Sequence, residues 1–395
     1  MNQKREKRNP LSPEEIARYS RQIILPNVGL KSQEILSHAK ILVIGMGGLG
    51  SPVALYLGAA GIGTLGLADF DRIEEHNLQR QILHKTSRVG SSKTESAIAE
   101  IKDLNPAVTL QNHSEGVTID NAHSLFMNYD LVVDGSDNFP TRYLVNDAAF
   151  FTKKPLVYGS IFQFEGQVSI FDTSEGGPCY RCLFPKMPAP GVVPNCEESG
   201  VFGALCGIVG SIQAMEAIKY LLGLGEAMKG RLLVTEALSM NFRTLNLKRD
   251  PNCPLCGDNP TILNLKAQNY EFQCNVPNAE DAAGSNVATH PLEITVEEAH
   301  SILNSEVDCL LIDVREPYEV EICSIKGSIN IPLGQIPDRY ESLPTNHPIF
   351  IHCHHGSRSL QATQFLRSKG FKFASNIGGG INAWAHKIDP SIRFY

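Results

Sequence analysis

Six consecutive residues near the C-terminus, Cys353-His354-His355-Gly356-Ser357-Arg358, follow an apolar run (Ile349-Phe350-Ile351) and precede helical spacing through Leu360, Ala362, Phe365 and Leu366. A loop that joins a strand to a helix in this way aims backbone N–H groups and the positive helix end at one atom. A sulfur held there can carry negative charge and act as a nucleophile. The predicted catalytic thiol is Cys353, with Arg358 closing the loop and adding positive charge.

A second reactive set lies far upstream. Gly45-Met46-Gly47-Gly48-Leu49-Gly50 follows the strand-like run Lys40 to Ile44 and opens a helix carrying Val53, Leu55, Tyr56 and Leu57, with Asp69 nineteen residues after Gly50. In that setting Gly45, Gly47, Gly48 and Gly50 let a phosphate approach a helix N-terminus, and an acid such as Asp69 suits ribose hydroxyls. The fingerprint alone would favour a nicotinamide-dependent oxidoreductase. The residues downstream of the fingerprint shift the reading to a nucleoside triphosphate. Asp69-Phe70-Asp71 is succeeded by Asn77-Leu78-Gln79-Arg80-Gln81, by Lys93, and by Asp137-Asn138 after another apolar run. Arg80, Lys93 and Arg21 are cations able to neutralise a triphosphate, and Asp137 can hold Mg2+ with waters. A carboxylate attacking the α-phosphate of ATP is already ionised at neutral pH. Such a site needs positioning and charge neutralisation, not a general base.

The ten cysteines sort by spacing. Cys179 and Cys182 form one Cys-x-x-Cys pair, Cys253 and Cys256 another. Two such pairs suit tetrahedral Zn2+, and four thiolates leave no position for water, which makes the role structural. A redox dithiol is the competing reading. Cys196 sits in a polar, Gly/Pro-rich segment beside Glu197 and Glu198. Cys206 lies in an apolar helical run, and Cys309 and Cys323 in strand-like segments.

The elements that must position these groups alternate. Strand-like runs at 40–44, 64–68 and 130–133 and helical spacing at 91–104 predict a doubly wound, parallel α/β sheet. The segments 155–158, 166–171 and 231–234 read as further strands with less helix between them. Composition turns polar from about residue 263 to 290, which reads as a linker. Beyond it a new alternation (helix 295–303, strands 309–314, 328–331 and 349–352, helix 357–369) predicts a small α/β domain. The expected division is a disordered tail over 1–11, a nucleotide domain over 12–262, a linker over 263–290 and a thiol domain over 291–395.

Bulk composition bounds the partners. A net charge of −7 argues against nucleic acid. No run reaches about 18 uninterrupted apolar residues, so no membrane span is expected. The polar, basic start has no apolar core, so no secretory signal is read there and a cytoplasmic protein is expected.

Residues 12–260 resemble the adenylating domain of the ubiquitin-activating superfamily in its bacterial MoeB/ThiF form. The resemblance rests on Arg18-Tyr19-Ser20-Arg21-Gln22, Gly45 to Gly50, Asp69 to Asp71, Asn77 to Gln81, Lys93, Asp137-Asn138 and both cysteine pairs. It implies that these positions bind ATP and Mg2+ and adenylylate the C-terminal glycine of a ubiquitin-like sulfur-carrier protein. It further implies Zn2+ on the four cysteines, a homodimer in which Arg21 serves the partner's site, and a part for Cys196 in transfer after adenylation. The last hundred residues resemble a single rhodanese domain, through Asp313 to Glu319, Ile325 to Pro332, the Cys353 loop, and Gly378 to Trp384. That implies a persulfide on Cys353, and an Asp313–Arg315 pair that orders the loop region. The related phosphatases use Cys-x5-Arg; the four residues between Cys353 and Arg358 make a tighter cradle, suited to one terminal sulfur. Together the resemblances imply an adenylyltransferase fused to its own sulfurtransferase. A cysteine desulfurase or another donor would supply sulfur, for molybdopterin synthesis or for thiamine or tRNA thiolation. A non-catalytic adaptor that docks a carrier is the alternative from another class.

Overall fold

Strand β1 (Lys40–Ile44) sets the architecture because its residues are apolar on both faces. Ile41 and Val43 enter one core with Val53, Leu57 and Leu65, while Leu42 and Ile44 enter a second with Val132, Tyr143 and Val145. A strand buried on both sides must lie inside a sheet covered by helices on each face. The computed structural model describes residues 10–188, 200–270, 291–305 and 307–393, in two units: 10–188 with 200–270, and 291–393.

The first unit holds one eight-stranded sheet. Its strands are β1, β2 (Thr64–Ala68), β3 (Thr109–His113), β4 (Leu131–Asp134), β5 (Leu156–Phe162), β6 (Glu165–Phe171), β7 (Arg231–Glu236) and β8 (Asn241–Asn246), in spatial order β3-β2-β1-β4-β5-β6-β7-β8. From β3 to β5 all pairings are parallel; β5 to β8 are antiparallel. This is the expected doubly wound sheet with an antiparallel extension. The chain leaves β1 for β2 on one side and returns to β4 on the other, so the crevice beyond the carboxyl ends of β1 and β4 is the switch point where such sheets bind ligands. Helix Gly203–Leu222 is long and apolar enough to span a membrane by length and composition. It packs on the sheet instead, with Leu205, Val209, Ala214 and Ala217 buried and Gln213 Nε2 donating to the Asp134 carbonyl at 2.7 Å.

The second unit is a five-stranded parallel sheet, β9 (Glu293–Ile294), β10 (Leu310–Asp313), β11 (Ile329–Asn330), β12 (Ile349–His352) and β13 (Ala374–Ile377), in the order β11-β10-β12-β13-β9. The alternation of β12 again divides two cores: Ile349 and Ile351 face one, Phe350 the other. One expectation is corrected. Cys323 is not in a strand; it ends helix Pro317–Ile322, and its carbonyl accepts from Arg315. Of the expected tail 1–11 and linker 263–290, residues 1–9 and 271–290, like Cys196, lie outside the described residues, while Leu265 and Tyr270 pack into the core of the first unit.

Candidate active sites

The glycine loop leads directly from β1 into helix Gly50–Ala59. Gly45 has φ +81°, and a Cβ there would stand 2.7 Å from the Gly135 carbonyl oxygen, while one at Gly50 would strike the Gly45 carbonyl. Only glycine lets the ends of β1 and β4 and the helix N-terminus close to this distance. The loop is tied down from β2: Met46 N–H donates to Asp69 Oδ2 at 2.6 Å, and Asp71 N–H to Asp69 Oδ1 at 2.8 Å. Burial raises the Asp69 carboxyl above its ordinary value, and Lys93 opposes the shift.

Two clefts flank the loop. One, about 490 Å3, is lined by Gly45, Gly47, Asp69, Asp71, Lys93, Asp137 and Asn138. The other, about 440 Å3, is lined by Gly47, Gly48, Arg80, Gln81, Asp137 and Arg142. Asp137, exposed on the turn after β4, borders both. Lys93 is 6 % exposed, and its Nζ is 2.7 Å from Asp71 Oδ2. Arg80 is 8 % exposed and donates to the His76 carbonyl at 3.2 Å. The expected nucleotide residues thus line one or both of these clefts, which share Gly47 and Asp137, with three exceptions. Gly50 acts through the close approach just described. Asn77 lines neither cleft; its Oδ1 accepts from Glu74 N–H at 3.0 Å and caps a short 3-10 turn. Arg21 is exposed on helix Ser20–Ile23 and also lines neither cleft.

Two residues of the second cleft escaped the sequence reading. Arg142 is buried on helix Phe139–Thr152, donates to the Ser136 carbonyl at 2.9 Å and to Ser160 Oγ at 3.2 Å, and lies over the Tyr158 ring. No motif marks it; its burial and its partners come from the fold. Cys206 is buried, as expected of a core residue, yet it also borders the cleft, and a methyl on Gly48 would come within 2.8 Å of its Sγ.

The two cysteine pairs converge. Cys179 Sγ is 3.9 Å from Cys182, 3.6 Å from Cys253 and 3.4 Å from Cys256, and Cys182 is 3.4 Å from Cys256. Four sulfurs about 2.3 Å from one metal form a tetrahedron with edges of about 3.8 Å. The donor set fits a four-thiolate metal site, and the four residues form one cluster, not two separate dithiols. Its frame is buried: Arg181, between the first pair, holds Asp147 through two contacts of 2.8 Å, and Tyr270 donates to the same carboxylate at 3.1 Å.

In the second unit Cys353 follows β12 and is 1 % exposed. Its Sγ accepts from Gly356 N–H at 3.1 Å and from Ser359 Oγ at 3.3 Å. The helix after the loop is Ser357–Ser368, and a second helix, Gly380–Lys387, braces the loop from behind: Ile381 N–H donates to the Cys353 carbonyl at 2.9 Å and Asn382 N–H to that of His354 at 3.1 Å. Arg358 points its guanidinium at Glu319, with contacts of 2.7 and 2.8 Å, so its charge is neutralised locally. Asp313 and Arg315 form a fully buried pair at 2.6 Å, and Arg315 ties the end of helix Pro317–Ile322 to β10. Burial would raise the Asp313 carboxyl, but Arg315 and His352 leave it below its ordinary value.

His352, beside the thiol, is fully buried with neither ring nitrogen hydrogen-bonded, and burial pushes it down to about 4. The unfolded chain takes up this proton near the ordinary 6.5, the folded chain only near 4. Stability from the neutral ring is therefore complete above about pH 6.5 and is lost as pH falls toward 4, by an amount on the order of 3 kcal/mol. Trp384 is the only tryptophan and is buried in this unit, so its fluorescence reports this unit within the whole chain. The urea midpoint followed by Trp384 should be lower at pH 5 than at pH 7, and His352→Phe should shrink that difference, leaving the part due to His354, which burial also pushes down to about 4; an equal drop in the variant would assign it to other groups.

A glycine-loop nucleotide cleft and a cradled thiol in one chain define a two-unit enzyme of transferase type. The ThiF family model matches residues 19–255 and the rhodanese-like domain model residues 295–387. The chain belongs to the ThiF family and carries a C-terminal rhodanese-like domain. It is 44% identical, over 98% of its own length and 96% of the relative's, to the probable adenylyltransferase/sulfurtransferase MoeZ of Mycobacterium tuberculosis. It is 41% identical, over 98% and 90%, to the adenylyltransferase and sulfurtransferase MOCS3 of Aedes aegypti. Among solved structures, Escherichia coli MccB with MccA-N7isoASN has a TM-score of 0.55 at 22% identity, over 62% of this chain and 75% of that one, which bears on the fold alone.

Proposed function

We propose that this chain activates the C-terminal glycine carboxylate of a ubiquitin-like sulfur carrier with ATP, then gives it sulfur from a Cys353 persulfide, leaving a thiocarboxylate. The observation that carries the reading is the pairing, in one chain, of two adjoining clefts that share Asp137 and carry Lys93 and Arg80 with a buried thiol that accepts two hydrogen bonds. The names of the full-length relatives agree with it.

In the crevice the carrier carboxylate attacks the α-phosphorus of ATP and pyrophosphate leaves. Arg80 and Lys93 balance the phosphate charge, and the fixed N–H groups of the glycine loop orient it. Mg2+ held by Asp137 would add Lewis-acid charge there. The outer sulfur of the Cys353 persulfide then attacks the acyl carbon, and AMP leaves with the C–O electron pair. A second thiol attacks Cys353 Sγ in the resulting acyl disulfide and frees the thiocarboxylate; Cys196 or an external thiol fills this part, and a thiol reductant restores the cysteines. Zn2+ suits the closed four-cysteine site, where it would hold distant segments together. Exposed Arg21 would serve the other subunit of a homodimer, and a cysteine desulfurase would load Cys353.

The test is ATP–pyrophosphate exchange by the whole chain with a ubiquitin-like carrier ending in glycine. Exchange should require the carrier and its terminal glycine; exchange indifferent to both, or absent with every sulfur carrier tried, would sink the reading.

A further inference from the structure

The Cys353 cradle contains a side-chain hydroxyl from outside the six-residue loop. Ser359, in the first turn of helix Ser357–Ser368, is fully buried. Its Oγ stands 3.3 Å from Cys353 Sγ and 3.1 Å from the Gly356 carbonyl oxygen. A hydroxyl has one proton, so it donates fully to only one of these acceptors at a time. The choice follows charge: a thiolate is the stronger acceptor, whereas a sulfur bonded to a second sulfur carries little negative charge and leaves the carbonyl preferred.

We infer that Ser359 is a catalytic residue of the sulfur-transfer half-reaction, a hydroxyl that turns from the Gly356 carbonyl to Sγ as the S–S bond of the persulfide breaks. The inference rests on Cys353 being the sulfur-carrying thiol. When an acceptor nucleophile attacks the outer sulfur, the bond from acceptor to sulfur forms, the bond from outer sulfur to Sγ breaks, and its electron pair stays on Sγ. With cyanide as acceptor, a persulfide anion and cyanide become a thiolate and thiocyanate, and the charge balances. Gly356 N–H is fixed on Sγ throughout; the Ser359 proton is the mobile one. Loading runs the other way: with thiosulfate, the thiolate attacks the sulfane sulfur and sulfite leaves. Removing the hydroxyl there takes a hydrogen bond from the attacking thiolate, which leaves it less stabilised but more nucleophilic, and the two effects oppose each other. Ser359 should therefore matter more for unloading than for loading.

The experiment uses the full chain and single-turnover kinetics, with thiosulfate to load Cys353, read as one added sulfur by mass spectrometry, and cyanide to unload it. Ser359→Ala should slow unloading by about 10- to 100-fold, the range for loss of a hydrogen bond to a charged group, and change loading by less than about threefold. Ser359→Thr should restore unloading, because it returns the hydroxyl. Unloading by Ser359→Ala at the wild-type rate overturns the inference. So does equal slowing of both half-reactions without rescue by Thr, which marks a packing role; the Trp384 urea midpoint identifies a variant that has lost its fold. A wild-type chain that takes no sulfur from thiosulfate or from a persulfide donor refutes instead the assignment of Cys353 beneath it.

Discussion

Cys353→Ala should abolish thiocarboxylate formation while carrier-dependent pyrophosphate exchange stays within about twofold of wild type. The two steps use different atoms. In the proposed reaction, activation would need only the ionised carboxylate, the glycine loop, Arg80, Lys93 and Asp137, all in the first unit. Transfer needs a sulfur that can hold a second sulfur and be released as thiolate, and alanine offers no such atom. The substitution leaves a small gap in the core that Cys353 shares with Ile351, Ala362 and Leu366, at a cost of about 1–2 kcal/mol. An unchanged Trp384 urea transition would show that the unit still folds. Thiocarboxylate made by the variant would mean that sulfur enters by another route. Loss of exchange as well would mean that the thiol takes part in activation.

Asp137→Asn is the converse case, expected to reduce pyrophosphate exchange by about 100- to 1000-fold, the scale of losing metal-supported charge neutralisation in a phosphoryl-type transition state. The change keeps the volume of the side chain and removes its charge. Asp137 is exposed at the mouth of both clefts and is not needed for packing, so stability should hardly move. Thiosulfate-to-cyanide transfer through Cys353 should be unaffected. Exchange surviving at the wild-type level would remove Asp137 from the metal site.

Both predictions rest on residues legible along the chain because their signals are local. A glycine loop between a strand and a helix, and a thiol before a helix N-terminus, are chemical arrangements made by neighbours in sequence. Strands β1, β4 and β12 were equally legible, because each carries a run of apolar residues buried on both faces, Ile41 to Ile44, Leu131 to Val133 and Ile349 to Ile351. β3 was not: Thr109–His113 is polar and half-exposed beside β2, and no apolar pattern marks it. β9, two residues long, and β13, with Ser375 and Asn376 buried in its middle, were hidden for related reasons.

The chain's order of residues thus marked the candidate reacting groups: the Cys353 loop, the glycine loop with its neighbouring cations and carboxylate, and the two cysteine pairs. Folding decided what surrounds them, because those partners are remote in sequence and chosen by packing. Arg358 turns to Glu319, thirty-nine residues away. Arg142 enters the second cleft on the helix after β4. Four cysteines from two distant segments meet within 4.8 Å. Ser359 reaches Cys353 Sγ because the helix turns its third residue back toward the loop. Periodicity and motifs report what each segment is; which side chains meet depends on how helices and strands dock, and that information is spread over the whole core.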